Sequence, residues 1–326
     1  MEYINLGRSG LSVSRLCLGT MNFGPLTPPA EAHAIMDHAH EIGINFFDTA
    51  NRYGGRQSPP GQLAEHDESH AGWTEEIIGD WFAGDSTRRE RTVLATKVFG
   101  AMSDWPNDGK LSALHIRRAC DASLRRLQTD YIDLYQSHVD DADTLLEETL
   151  GAFGDLIRQG KVRAIGASNY SAARLMKALD LAQRGLPRYD SLQPLYNLYD
   201  RAGYEGELGP LCVKRGVGAI TYFSLASGFL SGKYRSQQDL AGRARAPRVE
   251  KYMNPRGMAI LRALDEVAAA HESTQASVAL AWLMGRPGVV APIASATSSA
   301  QLAALVAAAN LKLDAASIAR LDQASS

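Results

Sequence analysis

Cysteine is scarce in this chain of 326 residues, with three copies only. Cys17, Cys120 and Cys212 are far apart, odd in number and unaccompanied by CxxC or His-rich spacing. That pattern suggests neither a disulfide framework nor a structural zinc site, and a reducing compartment is its simplest reading. Long apolar runs are missing too: none approaches the roughly 20 residues that span a bilayer. The N-terminus MEYINLGRSG lacks the basic stretch followed by an apolar run that marks a secretory signal. A cytoplasmic soluble protein is expected. Charge of one sign is not in excess either, since 34 basic residues face 36 acidic ones, a net −2. Without a basic block, nucleic acid is disfavoured as the main partner.

What is present is alternation. After a candidate hairpin (YINL, the turn GRSG, then LSV), short apolar runs rich in β-branched residues alternate with amphipathic segments. The runs are 14–19, 44–48, 92–97, 131–138, 162–168, 191–197, 216–222 and 288–293. Helices are expected near 30–42, 74–83, 112–128, 144–159, 171–184, 256–271, 274–284 and 298–309. In the third, Leu114, Ala119, Leu124 and Leu127 recur at helical intervals, and Ser112 is a candidate N-cap. Eight βα units imply a parallel sheet closed on itself. The rival, an open dinucleotide-binding sheet, should carry GxGxxG after its first strand, where this chain has LGTMNFG. The expectation is therefore α/β: a (β/α)8 TIM barrel with an N-terminal hairpin cap, one domain over 1–326. Two long segments, about 54–73 and 223–255, follow strand C-termini, where barrel sites are built.

A barrel would gather its strand ends at one mouth. They are Gly19-Thr20-Met21, Asp48 with Tyr53 beyond it, Lys97, His138, Ser168-Asn169, Gln193 with Asn197, and Tyr222. Each has an ordinary structural reading: an Asp caps turns, a Lys snorkels, a Tyr packs, a His is hydrogen-bonded. Together they form a proton-transfer set. A phenol with a pKa near 10 gains acidity from a nearby cation, which Lys97 can supply, and a buried lysine needs a counter-ion, which Asp48 can be. His138 can orient a carbonyl oxygen or share in proton relay. Protonation of a carbonyl by Tyr53 also requires a hydride donor.

These stretches, with LGRSGLSVSRLCLGTMNFG, INFFDTANRYG, VLATKVFG, LRRLQTDYIDLYQSH, GKVRAIGASNY, LQPLYNLYDR, YFSLASGFLSGKYR and APIASATS, resemble an aldo-keto reductase essentially end to end. The resemblance implies NADPH-dependent carbonyl reduction without a metal, and places Asp48, Tyr53, Lys97 and His138 in the catalytic tetrad. It implies that Ser168, Asn169 and Gln193 hold the nicotinamide carboxamide and that Tyr222 stacks on the ring. Gly19, Thr20 and Met21 stand among the cofactor contacts at the first strand end. Leu225, Ala226, Gly228, Leu230 and Gly232 would follow the dinucleotide, with Lys233 reaching its phosphates. Arg243 and Arg245 are candidate 2′-phosphate ligands, whose alternative is a solvated basic loop. Ser295, Thr297 and Gln301 match adenosine-side positions.

The chain departs from the family at Ala304 and Leu305, where relatives often carry Glu-Asn, so NADPH is favoured and NADH left open. The enlarged 54–73 segment resembles a longer-loop bacterial branch that includes reductases of nucleotide-linked keto sugars. His66, Asp67, Glu68 and His70 in it are candidate substrate contacts, and Met21, Phe23, Phe99 and Trp105 candidate pocket walls. Two other readings stand beside the reductase of a small-molecule carbonyl: a cofactor-binding redox-sensing subunit similar to channel β-subunits, and a barrel hydrolase or isomerase that ignores nicotinamide. No nucleic acid or membrane partner is expected, and no apolar stripe separable from the barrel's own helices sets an oligomeric state. Titrating the chain with NADPH and NADH while following fluorescence should show saturable binding, tighter for NADPH; no change with either sinks every cofactor-based reading.

Overall fold

The computed structural model describes residues 1–54, 71–243 and 245–326. Strands β1 (Tyr3–Asn5) and β2 (Ser12–Ser14) pair antiparallel as the expected hairpin. The barrel strands are β3 (Cys17–Gly19), β4 (Phe46–Asp48), β5 (Val93–Val98), β6 (Ile132–Ser137), β7 (Val162–Ser168), β8 (Tyr189–Gln193), β9 (Gly218–Thr221) and β10 (Val289–Ala294). All pair in parallel in sequence order, and β10 closes on β3. This is the (β/α)8 barrel that the alternation implies.

Period-two geometry sorts each strand into inward and outward side chains. On β5, Ala95 joins the barrel interior while Leu94 and Val98 pack outward against helices. The interior is apolar, built from Cys17, Phe46, Ala95, Leu134, Ala164, Ile220, Val290 and Ala291. Leu6 and Val13, flanking the hairpin turn, join the same cluster, so the hairpin plugs the floor of the barrel. Inward positions one step nearer the mouth change character: Asp48 above Phe46, Lys97 above Ala95 and Gln136 above Leu134. A polar layer thus sits on an apolar plug, where it meets solvent only through the mouth.

Several boundaries differ from the sequence expectation. Ser14 belongs to the hairpin, so the first barrel strand starts at Cys17. The run 191–197 ends as a strand at Gln193, because Pro194 has no N–H to continue the ladder. Asn197 is consequently a turn residue: its buried side chain accepts from the Tyr199 and Asp200 amides and does not face the mouth. In the helix Ala113–Leu127, Ser112 does accept from the His115 amide at 3.2 Å, but Leu114 is exposed and the buried face runs through Ile116, Ala119, Cys120 and Leu127. Helices at Leu208–Arg215 and Ala315–Ser325 were not expected, being short or weakly patterned. The segment 223–255 is not a plain loop: it carries short turns of helix at Ala226–Ser231, Gln237–Leu240, Ala246–Val249 and Glu250–Tyr252.

Among the described residues, no single helix is long and apolar enough to cross a membrane. The three cysteines are buried and unbonded.

One close approach ties the helical layer together. In the helix Trp73–Gly84, a Cβ at Gly79 would lie 2.0 Å from the Arg126 carbonyl oxygen, a backbone atom that cannot step aside cheaply. Gly79→Ala should therefore cost about 2 kcal/mol through overpacking, despite the better helix propensity of alanine. Denaturant unfolding of the two proteins checks this, and unchanged stability would contradict the contact.

Candidate active site

The C-terminal ends of the strands surround a cleft of about 270 Å³. Gly19, Thr20, Met21, Asp48, Tyr53, His138, Ser168, Asn169, Gln193, Tyr222, Leu225, Gly228, Arg245 and Ser295 are among the residues that line it. The barrel thus gathers at one place most of the candidate residues, which lie far apart in the chain.

At the base, Lys97 is fully buried and Asp48 nearly so. The Lys97 ammonium donates to Asp48 Oδ2 at 2.7 Å, to the Thr49 carbonyl at 2.8 Å and to the Tyr53 hydroxyl oxygen at 3.2 Å. Three donors meet three acceptors, so the ammonium is saturated. Because Tyr53 accepts from Lys97, its own hydroxyl proton remains available for donation. Burial alone would push the Lys97 pKa down, but Asp48 and Tyr53 together outweigh it and hold the ammonium above its ordinary value. The other Asp48 oxygen, Oδ1, accepts from the side-chain amides of Gln193 at 2.9 Å and Gln136 at 3.2 Å.

Lys97 acts on the Tyr53 phenol in the expected direction but does not set its net acidity. Lys97 does pull the phenol down, yet burial, with the Asp48 charge, lifts it above its ordinary pKa. The lysine cannot act as an unopposed cation because its counter-ion travels with it. His138 stands edge-on to Tyr53, with ring centroids 5.9 Å apart. Burial, then the Lys97 and Arg52 charges, push its imidazole down to about 3. It is neutral at any ordinary pH, hence one ring nitrogen carries a proton and the other does not.

Further round the mouth, Ser168 donates to the Gln193 carbonyl at 2.9 Å. Asn169, with a left-handed φ of 57°, donates to the His138 carbonyl and accepts from the Tyr222 hydroxyl at 2.8 Å. The wall from Phe223 to Gly228 is contorted: Phe223, Ala226, Ser227 and Gly228 all have positive φ, and only one is glycine. Such backbone persists only where the surroundings impose it, and it clusters at binding sites.

Not every selected residue reaches the cleft. Ala226 and Leu230 are fully buried in the core, so their side chains pack there and leave only backbone for a ligand. Gly232, Lys233, Arg243, Thr297 and Gln301 lie outside the lining, and the last pair bond each other, Gln301 Oε1 accepting from the Thr297 amide. Gly19 is explained by packing, since a Cβ would come within 2.6 Å of Ile293 and 2.8 Å of Ser295 Oγ. Of the proposed walls, Met21 lines the cleft, while Phe23 is fully buried behind it and Trp105 is 79 % exposed. Phe99 is half-buried against the core. His66, Asp67, Glu68 and His70 lie outside the described residues. Two residues that the sequence reading missed are Gln136, which faces inward two positions before His138, and Arg248, which lines the cleft beside Arg245. Strand alternation from His138 would have pointed to the first. No local pattern marks the second.

Three cations lie at or near the cleft, of which Arg245 lines it. Lys233, Arg243 and Arg245 make no ion pair with a carboxylate among the described residues. Burial, followed by the Arg245 and Arg243 charges, pushes the Lys233 ammonium down, so an anion there would relieve mutual repulsion. Among the described residues no group of three His, Cys, Asp or Glu side chains could hold a metal ion.

The family model of the aldo/keto reductases matches residues 15–326. The chain belongs to the aldo/keto reductase family. Among its relatives is an uncharacterized oxidoreductase, YrpG, of Bacillus subtilis, 41% identical over 96% of this chain and 93% of that one. A probable voltage-gated potassium channel subunit beta of rice, Oryza sativa, is 34% identical over 93% and 89%. The L-glyceraldehyde 3-phosphate reductase of Escherichia coli is 31% identical over 99% and 92%. Family membership and such relatives make this aldo/keto reductase an oxidoreductase in class.

The buried pair sets a stability test. Lys97→Met leaves Asp48 charged and unpaired, and should cost about 3–5 kcal/mol. Lys97→Met with Asp48→Asn removes both charges and should regain a large part of that loss in denaturant unfolding. Additive losses would contradict the coupling.

Proposed function

We propose that this aldo/keto reductase is an NADPH-dependent oxidoreductase that reduces an aldehyde or ketone to an alcohol, with Tyr53 as general acid. The observation that carries the reading is the saturated ammonium of Lys97. It takes the Tyr53 oxygen as acceptor and so leaves the phenol proton free beside the cleft.

NADPH, when bound, supplies the hydride. The residues of the chain do the rest. Ser168, Asn169 and Gln193 surround the part of the cleft suited to a carboxamide, and Tyr222 offers a ring face there. The cations at Lys233, Arg243 and Arg245, without a carboxylate partner among the described residues, suit phosphates, and the guanidinium groups of the two arginines favour a 2′-phosphate. A neutral His138 orients the substrate oxygen by one N–H donor. As hydride reaches the carbonyl carbon, the oxygen gains basicity beyond that of a phenolate, and Tyr53 transfers its proton to it. Lys97 then stabilises the phenolate until solvent returns a proton. The net change is one hydride and one proton added across C=O.

Similarity to a protein named as a channel β-subunit supports a second reading, a cofactor-binding redox sensor with little turnover. The intact Asp48–Lys97–Tyr53 chain favours turnover. The reductase of E. coli named above makes a phosphorylated aldehyde a sensible first substrate, beside simple aldehydes, quinones and nucleotide-linked keto sugars.

Two outcomes are expected. Tyr53→Phe should lower kcat for reduction by about 10²–10⁴-fold while leaving NADPH binding intact, the range of a lost general acid. Retained turnover would remove Tyr53 from its role, and tight binding with no turnover by the wild type on any carbonyl would favour the sensor. The sign of the pH dependence follows from the raised phenol. Reduction needs protonated Tyr53, so kcat should stay level through neutrality and fall only above its ordinary pKa of 10. With His138 neutral down to about 3, no acid limb near pH 6 to 7 should appear.

A further inference from the structure

Gln136 is fully buried in the barrel beneath the cleft, paired in register with Lys97 on one side and Gly166 on the other. Space for it is made on purpose by Gly166, where a Cβ would sit 3.2 Å from Gln136 Cγ and 2.2 Å from Ser191 Oγ. An amide in such a place must find partners, because an unpaired buried polar group is costly. Both of its ends do. The Nε2 donates to Asp48 Oδ1 at 3.2 Å, and the Oε1 accepts from Gln193 Nε2 at 3.4 Å, a long contact.

The orientation is fixed by chemistry. A carboxylate only accepts, so the amide nitrogens of both Gln136 and Gln193 must face Asp48. The Gln193 nitrogen then has two hydrogens and two acceptors, Asp48 Oδ1 at 2.9 Å and Gln136 Oε1. Turning the Gln193 amide over would set its oxygen against both of those oxygens. Gln193 Oε1 is thereby left toward the cleft, and it accepts no hydrogen bond from the described residues. It is an acceptor held ready for an N–H donor.

We propose that Gln136 is a positioning residue that locks the Asp48 carboxylate toward Lys97 and the Gln193 amide with its oxygen toward the cofactor, joining carboxamide recognition to the proton donor. The proposal rests on the reductase reading. Without Gln136, the 2.9 Å bond to Asp48 still sets which way round the Gln193 amide lies, but the second hydrogen of its nitrogen loses its acceptor, so the plane of the amide and the aim of its oxygen are held less tightly. The effect on chemistry runs through Asp48, whose second oxygen loses a donor, so its grip on the Lys97–Tyr53 chain loosens.

The experiment compares NADP⁺ with its 3-acetylpyridine analogue, whose methyl ketone replaces the amide and cannot donate to Gln193. Fluorescence titration of the full chain gives both affinities. Gln136→Met keeps the volume and removes both contacts, and Gln136→Leu runs beside it so that a folding defect in one variant does not decide the matter. The expected result is a loss of about fivefold in NADP⁺ affinity, the worth of one hydrogen bond, with the analogue changed by less than about twofold. With NADPH and a reducible carbonyl, kcat should fall about tenfold at an unchanged carbonyl KM, as for an interaction felt in the transition state. Equal losses for the two cofactors, or none, would overturn the proposal, as general loosening of the barrel would affect both alike. A wild-type chain that binds neither cofactor overturns the reductase reading first, before any variant is made.

Discussion

The site depends on one ion pair held where water reaches only from above. Asp48 and Lys97 sit on the apolar plug of the barrel, and neither charge could remain there alone. Each pays for the other's desolvation, and the remaining donors and acceptors are used to the last. Oδ1 takes two amides; the ammonium takes a carbonyl and a phenol oxygen. From this saturation follows the direction of every neighbouring proton. Tyr53 must accept, so it can donate only outward, and Gln193 must turn its nitrogen inward, so its oxygen faces out.

The opposite side of the cleft works by the reverse rule. At or near it the cations Lys233, Arg243 and Arg245 make no ion pair with a carboxylate among the described residues; Arg245 lines the cleft, whose wall holds Phe223, Ala226, Ser227 and Gly228 at positive φ. One side is complete in its hydrogen bonds. The other carries cations that meet no carboxylate among the described residues. The proposed reduction of a carbonyl by a dinucleotide phosphate would use both, and the barrel brings them together because all eight strands end on one face.

Much of this was legible in the residues. Alternating β-branched runs and amphipathic segments forced βαβ units, and eight of them with no dinucleotide fingerprint forced closure. Asp48, Lys97 and His138 announced themselves as polar residues ending apolar strands, and their joint appearance outweighed the ordinary reading of each. Other features were hidden for a physical reason. Gln136 looks like an interruption in YIDLYQSH until the interior of the barrel is assembled and sets it against the Gln193 amide and the Asp48 carboxylate. Asn197 looks like a strand end until Pro194 stops the ladder. Leu230 looks like a cofactor contact by its motif, yet the turn around it points the side chain into the core.

The sequence by itself determined the fold class and the chemical types at the mouth, since periodicity and strand-end polarity are local properties that survive without knowledge of contacts. Only the tertiary structure decided how those groups share their hydrogen bonds and charges. The Tyr53 phenol shows the difference: next to a lysine it should be more acidic, but burial and the Asp48 counter-ion raise it instead. Acidity in a closed site is a sum over all neighbours and the solvent they exclude, and that sum exists only once the barrel has closed.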